Sequence, residues 1–207
     1  MTALMVLAKA PRAGRSKTRL CPPCTPAEAA ALARAALADT LDAVLATPAA
    51  RRVLVLDGPA GDWVPAGVDV LAQRGDGLDQ RLAHAFADVG APALLIGMDT
   101  PQVTPADLAD GLTRLLAPGT DAVLGPAPDG GYWAIGLRTA DPHAFLGVPM
   151  STARTGRAQL ARLRALGLHV ALLPALRDVD RIADAHAVAA LVPGGRFARA
   201  LATNAAA

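Results

Sequence analysis

From Leu4 to Leu191 short apolar runs alternate with longer stretches of helical periodicity, and this alternation most restricts what the chain can fold into. Residues 4–7, 53–56, 68–72, 93–97, 122–125, 132–137 and 169–173 read as strands. Between and after them, 26–46, 77–89, 105–116, 151–166 and 182–191 read as helices. Thr25-Pro26-Ala27-Glu28 is a capping box with proline at the first helical position, and Ala29, Leu32, Ala33, Ala36, Leu37, Leu41 and Val44 then fall on one side. Strands alternating with helices predict an α/β fold with a mainly parallel central sheet flanked by helices. At 207 residues a single domain over 1–207 is the economical expectation, with about 196–207 as a frayed helical tail.

The bulk properties exclude several function classes. A net charge of +2 gives no general attraction to nucleic acid or membrane. Three Phe, two Trp and one Tyr are too few for a platform that stacks single-stranded bases. The first apolar run is too short for a signal peptide, and no run reaches membrane-spanning length, so a cytoplasmic protein is expected. Cys21-Pro22-Pro23-Cys24 precedes its helix signal instead of opening it, which favours incidental thiols in a proline-rich turn over a redox pair. His84, His143, His169 and His186 are dispersed without metal spacing.

Chemistry concentrates in five places. The first strand breaks into a loop carrying Lys9, Arg12, Arg15, Lys17 and Arg19 around Gly14, with no acidic residue before Glu28. Lys9 and Lys17 are the chain's two lysines among twenty basic residues. Such a loop at the end of a first strand suits a di- or triphosphate, although a solvated basic loop is the plain alternative. It is neither a Walker loop nor a dinucleotide fingerprint. Gln73 to Arg81 is a glycine-rich segment before a helix, readable as a simple turn and cap. Asp99 ends a hydrophobic strand, where it either caps the next turn or offers a hard oxygen to Mg²⁺. Asp129-Gly130-Gly131 is a hairpin signal beside Tyr132 and Trp133, a pairing that also suits a sugar or acceptor platform. Asp178 and Asp180 share a face if their segment is extended, or one of them caps the helix that follows.

The pattern Ala8-Lys9-x-Pro11-x-x-Gly14-x-x-Lys17-Thr18-Arg19-Leu20 resembles the opening motif of the DUF2064 family of small GT-A-type transferases, which are related to nucleotidyltransferases including 2-phospholactate guanylyltransferase. Gln73-x-Gly75-x-x-Leu78-x-x-Arg81 resembles the family's nucleotide-contacting segment, with Asp79 where glycine is expected. Gly97-x-Asp99-x-Pro101 resembles its metal position, and Asp129-Gly130-Gly131-Tyr132-Trp133 its D-G-G-Y-W segment. Met150-Ser151-Thr152 resembles a W-S-T segment with methionine replacing the tryptophan.

The resemblance implies a GT-A, or nucleotide-diphospho-sugar transferase, fold. It further implies Mg²⁺ or Mn²⁺ on Asp99 with Asp178 or Asp180, the latter slightly favoured. Ala8, Lys9, Arg12, Gly14, Lys17 and Arg19 would hold phosphates. Gln73 and the backbone near Gly75 would read the base, and Arg81 would reach a phosphate or brace the loop. Gly130, Gly131, Tyr132 and Trp133 would hold substrate. Lys17 and Asp99 would assist the chemistry, with Asp129 as general base or sugar contact. The expected activity is glycosyl transfer from a nucleoside-diphosphate sugar to a small-molecule acceptor. The alternative is nucleotidyl transfer from a nucleoside triphosphate to a phosphorylated acceptor, with release of pyrophosphate. Base, sugar, acceptor and oligomeric state stay open, a homodimer included.

Overall fold

The protein is described by a computed structural model covering residues 2–205. Strand β1 (Ala3–Lys9) lies inside a seven-stranded sheet, hydrogen-bonded on one side to β2 (Arg51–Asp57) and on the other to β4 (Ala93–Gly97), both parallel to it. With β3 (Asp69–Ala72), β5 (Ala122–Pro126), β6 (Tyr132–Leu137) and β7 (Val170–Leu172), the strand order is β3-β2-β1-β4-β6-β5-β7. β6 runs antiparallel to both of its neighbours, and every other pairing is parallel.

The pleat sends alternate residues to opposite faces. Leu4, Val6 and Ala8 of β1 join Leu54, Leu56, Leu94 and Ile96 in one core cluster. Helix α1 (Pro26–Ala46) closes it through Leu37, Leu41 and Val44, and helix α3 (Pro105–Leu116) through Leu108, Leu112 and Leu115. Ala3 and Met5 face the other way, with Val53, Val55 and Leu95, onto Leu82 and Phe86 of α2 (Leu78–Val89) and Leu163 of α4 (Thr155–Ala165). Burial on both faces explains why these strands read as continuous apolar runs.

Two expectations are corrected. The helix expected over 151–166 begins at Thr155, because Ser151 is left-handed (φ 57) and residues 149–155 close a turn. In that turn Thr155 Oγ1 accepts from Thr152 N and donates to Pro149 O. The tail expected to fray from about 196 is instead helix α6 (Arg196–Ala205), packed with α5 (Ile182–Leu191) on the outer side of α1. Phe197 and Leu201 are buried there, and Asp39 of α1 caps the start of α6 by accepting from the backbone N–H groups of Arg196 and Phe197. Residues 206 and 207 of the expected tail lie outside the described residues.

Candidate active site

A cavity of about 980 Å³ opens where the parallel strands end at their C-termini, the ligand-binding edge of an open α/β sheet. Its wall takes in Ala8, Lys9, Lys17, Arg19, Gln73, Arg81, Asp99, Asp129, Gly131, Tyr132, Trp133, Asp178 and Asp180. Four residues read as site components from the sequence, Arg12, Gly14, Gly75 and Gly130, are not part of that wall.

The loop after β1 is folded on itself. Buried Ser16 accepts from Arg12 N at 3.0 Å and donates to Ala10 O at 3.3 Å. Gly14 turns at φ 73 in open space, and Lys17 is left-handed (φ 51) at the entry to a 3₁₀ turn, Thr18–Leu20. The Lys17 side chain is 9% exposed, with Nζ 2.6 Å from Asp99 Oδ1, and it also donates to the Val179 carbonyl. The basic turn and two distant acidic segments therefore converge on one pocket.

The segment after β7 is docked onto the turn after β4. Val179 N donates to Asp99 O at 2.8 Å, and Gln102 Nε2 donates to Arg177 O at 2.5 Å. This places Asp178 beside Asp99 and Asp129. Burial first, then the Asp129 and Asp99 charges, push the Asp178 carboxyl up to about 6, with Lys17 opposing the rise. Asp180, favoured from the sequence as the second metal ligand, is turned to Arg19, whose Nη1 lies 2.9 Å from its Oδ2.

The donor set fits a hard divalent cation. Asp99, Asp178 and the Val179 carbonyl are oxygen donors, and the Lys17 ammonium already holds two of them as a cation would. Among the described residues no group of three or more His, Cys, Asp or Glu side chains forms a ready-made metal cage. One or two carboxylates completed by substrate phosphates is the usual arrangement for Mg²⁺.

Gln73 is not free to read a base. Its Nε2 donates to Ala8 O at 2.8 Å and Val55 O at 3.0 Å, and its Oε1 accepts from Arg81 Nη1. Arg81 also meets Asp57 Oδ2 at 2.8 Å and Gly75 O at 3.1 Å, so of the two roles read for it, bracing the loop is the one its contacts serve. Asp79, in the place expected for glycine, accepts from Gly147 N at 3.0 Å and ties α2 to a neighbouring loop, which holds its carboxyl below the usual range.

Tyr132 and Trp133 do not form an open stacking platform. The Tyr132 hydroxyl donates to buried Gln159 Oε1 at 3.3 Å, and burial pushes the phenol up. Trp133 is 3% exposed, with Nε1 donating to Pro174 O at 3.0 Å and its indole resting against Gly125. Asp129 stays exposed at the rim, where it accepts from Gly131 N at 2.7 Å. Met150, Ser151 and Thr152 of the W-S-T-like segment border the cavity, as do Asp76, Thr155 and Arg181, to which sequence reasoning gave no role. Asp76 sits inside the glycine-rich segment and Arg181 directly after Asp180, so adjacency to motifs was the available signal.

The family model described as "Uncharacterized protein conserved in bacteria (DUF2064)" matches residues 31–152. The chain belongs to the DUF2064 family. This DUF2064 chain is 34% identical over 197 residues to "Phosphoenolpyruvate guanylyltransferase" of Streptomyces coelicolor, covering 89% of each chain. A crystal structure from Desulfovibrio desulfuricans G20, called a nucleotide-diphospho-sugar transferase, superposes with a TM-score of 0.89 at 26% identity over 99% of this chain and 95% of that one. A manganese complex of Rv0371C from Mycobacterium tuberculosis H37Rv shares the fold, with a TM-score of 0.52 at 22% identity over 90% and 97% of the two chains. The DUF2064 chain thus has the nucleotide-diphospho-sugar transferase fold and is a transferase. Among its described residues no helix is long and apolar enough to cross a membrane.

Proposed function

We propose that this protein is a divalent-cation-dependent nucleotidyltransferase that moves a nucleoside monophosphate from a nucleoside triphosphate onto a small phosphorylated acceptor. The observation carrying this reading is the meeting of Lys17 with Asp99 and Asp178 across one cavity, phosphate-binding cations facing cation-binding carboxylates. The Streptomyces relative, named for guanylyl transfer to phosphoenolpyruvate, supports nucleotidyl over glycosyl transfer and a guanine base. Inward-facing Tyr132 and Trp133 weaken the sugar platform on which the glycosyl reading leaned.

Lys9, Arg15 and Lys17 bind the triphosphate and stabilise the charge that builds on the leaving pyrophosphate. Asp99 and Asp178 would hold Mg²⁺ or Mn²⁺, which when bound would neutralise phosphate charge; the manganese complex of the M. tuberculosis neighbour supports a divalent cation, not a particular pair of ligands. The exposed Asp76 carboxylate, which makes no ion pair among the described residues, suits the two N–H donors on the edge of guanine. The acceptor lies near Asp129 and the Ser151–Thr155 turn. One of its phosphate oxygens attacks the α-phosphorus, the bond to the β-phosphate bridging oxygen breaks, and pyrophosphate departs. A cytoplasmic location is part of this reading, because nucleoside triphosphates and small phosphorylated acids are found there.

The test is pyrophosphate release from a panel of nucleoside triphosphates with phosphoenolpyruvate and related phosphorylated acids, beside a panel of nucleotide sugars. Pyrophosphate from GTP, lost by at least about 100-fold in Asp99→Asn, supports the reading. Free nucleoside diphosphate from a nucleotide sugar, without pyrophosphate from any triphosphate, overturns it.

A further inference from the structure

Lys17 sits where a metal ion would be expected. Its ammonium is nearly enclosed, 2.6 Å from Asp99 Oδ1, and donates to the Val179 carbonyl, so it joins the turn after β4 to the segment carrying Asp178. Both partners are hard oxygens of the kind Mg²⁺ and Mn²⁺ select. The backbone holds the lysine there deliberately: a non-glycine residue at φ 51 is a costly conformation, and the following turn clamps it through Leu20 N to Lys17 O at 2.9 Å. Lys9 and Arg15, on the same loop and in the cavity wall, make no ion pair among the described residues and remain available to phosphate.

We infer that Lys17 is an exchangeable stand-in for the cation: it neutralises Asp99 in the nucleotide-free protein and moves onto the triphosphate when the cation–nucleotide complex arrives. The inference rests on the cation site of the nucleotidyltransferase reading but concerns the order of binding, not turnover. A cation arriving alone must break the ammonium–carboxylate pair and leave a mostly enclosed lysine charge without a partner, which is costly. A cation arriving with a triphosphate supplies new oxygen partners for the released ammonium. Cation and nucleotide must then strengthen each other's binding, by linkage equally in both directions.

Two measurements test this, neither of which needs turnover. The first is direct titration of Mn²⁺ alone, followed by the paramagnetic signal of the free ion, into the wild type and Lys17→Met. The variant is expected to bind Mn²⁺ about 10-fold more tightly than wild type without nucleotide, and to lose most of the tightening that GTP confers on the wild type. Equal or weaker Mn²⁺ binding by a folded Lys17→Met overturns the inference. The second uses only wild-type chain for its readout. With Lys9 and Lys17 as the sole lysines, ¹⁵N-lysine labelling gives two side-chain ammonium signals, assigned by elimination in Lys9→Met. Mg²⁺ alone at low millimolar concentration should leave the Lys17 signal in place, and Mg²⁺ with GTP should move it; no movement with both overturns the inference. If these results appear without pyrophosphate release, the proposed function fails and the exchange stands. If GTP is turned over while Lys17→Met leaves Mn²⁺ affinity unchanged, the reverse holds.

Discussion

Arg81 Nη1 donates to Gln73 Oε1 at 3.2 Å, and through this contact the two side chains lock the ends of three strands together. Gln73 reaches Ala8 O in β1 and Val55 O in β2, while Arg81 reaches Asp57 at the end of β2 and Gly75 beyond β3. Gln73→Leu leaves two strand carbonyls short of a donor, each loss worth about 1 kcal/mol or more. The expected result is a melting point several degrees lower and a raised KM for the nucleotide, with kcat little changed. A variant with wild-type stability and a switched base preference would instead make Gln73 a direct reader of the base.

Asp178 gives the cation site a pH dependence. Its folded-state carboxyl stays protonated up to about 6, above its ordinary value. The favourable contribution of that proton to cation-free stability is therefore complete below the unfolded value near 4 and is lost as pH rises through about 6. A cation at Asp178 competes with the proton, so stabilisation by Mn²⁺ should grow as pH rises. Thermal unfolding of Lys17→Met, in which the competing ammonium is gone, with and without Mn²⁺ checks this: the increment at pH 7.5 should clearly exceed that at pH 5. An increment independent of pH would remove Asp178 from the site.

Gly130 and Gly14 both have positive φ, at 89 and 73, but only Gly130 is hemmed in. A Cβ there would collide with the Ala153 carbonyl, and Gly156 N donates to Gly130 O at 2.8 Å in the same contact. Gly14 has open space around it. Gly14→Ala should cost about 1 kcal/mol for backbone strain alone. Gly130→Ala should cost more and should also cut activity by separating the Asp129 turn from the Ser151–Thr155 turn. Similar unfolding midpoints for the two variants would contradict this.

Trp133 is a wall rather than a platform. Trp133→Phe deletes the donor to Pro174 O and should lower stability by about 1 kcal/mol. The acceptor KM should stay within about twofold, since the indole is buried. A large rise in acceptor KM at unchanged stability would restore a direct contact.

The sheet, α1 and α3 could be read from the chain because their signals are local: capping boxes at Thr25 and Thr104, and apolar runs buried on both faces. The left-handed Ser151 could not, since nothing short of the turn that holds it announces that φ. Residue types at the site were legible, but the partners were not. Lys17 and Val179 are 162 residues apart in sequence, and only the fold decides that Asp178 meets Asp99 while Asp180 meets Arg19. Gln73 and Trp133 misled for the same reason: a polar edge or ring looks like a ligand contact until its internal partners are seen.

Inserting β6 against the direction of its neighbours brings the 127–131 turn to the same rim as Asp99, without a crossover helix in between. That rim therefore has two kinds of border. One side is set by strand–helix connections, which can change only if a whole layer shifts. The other is a hairpin tip, which outside its Gly130 contact with Ala153 and Gly156 can change residues while every strand keeps its register. A lineage adopting a new acceptor would be expected to edit that tip first and keep the nucleotide side as it is.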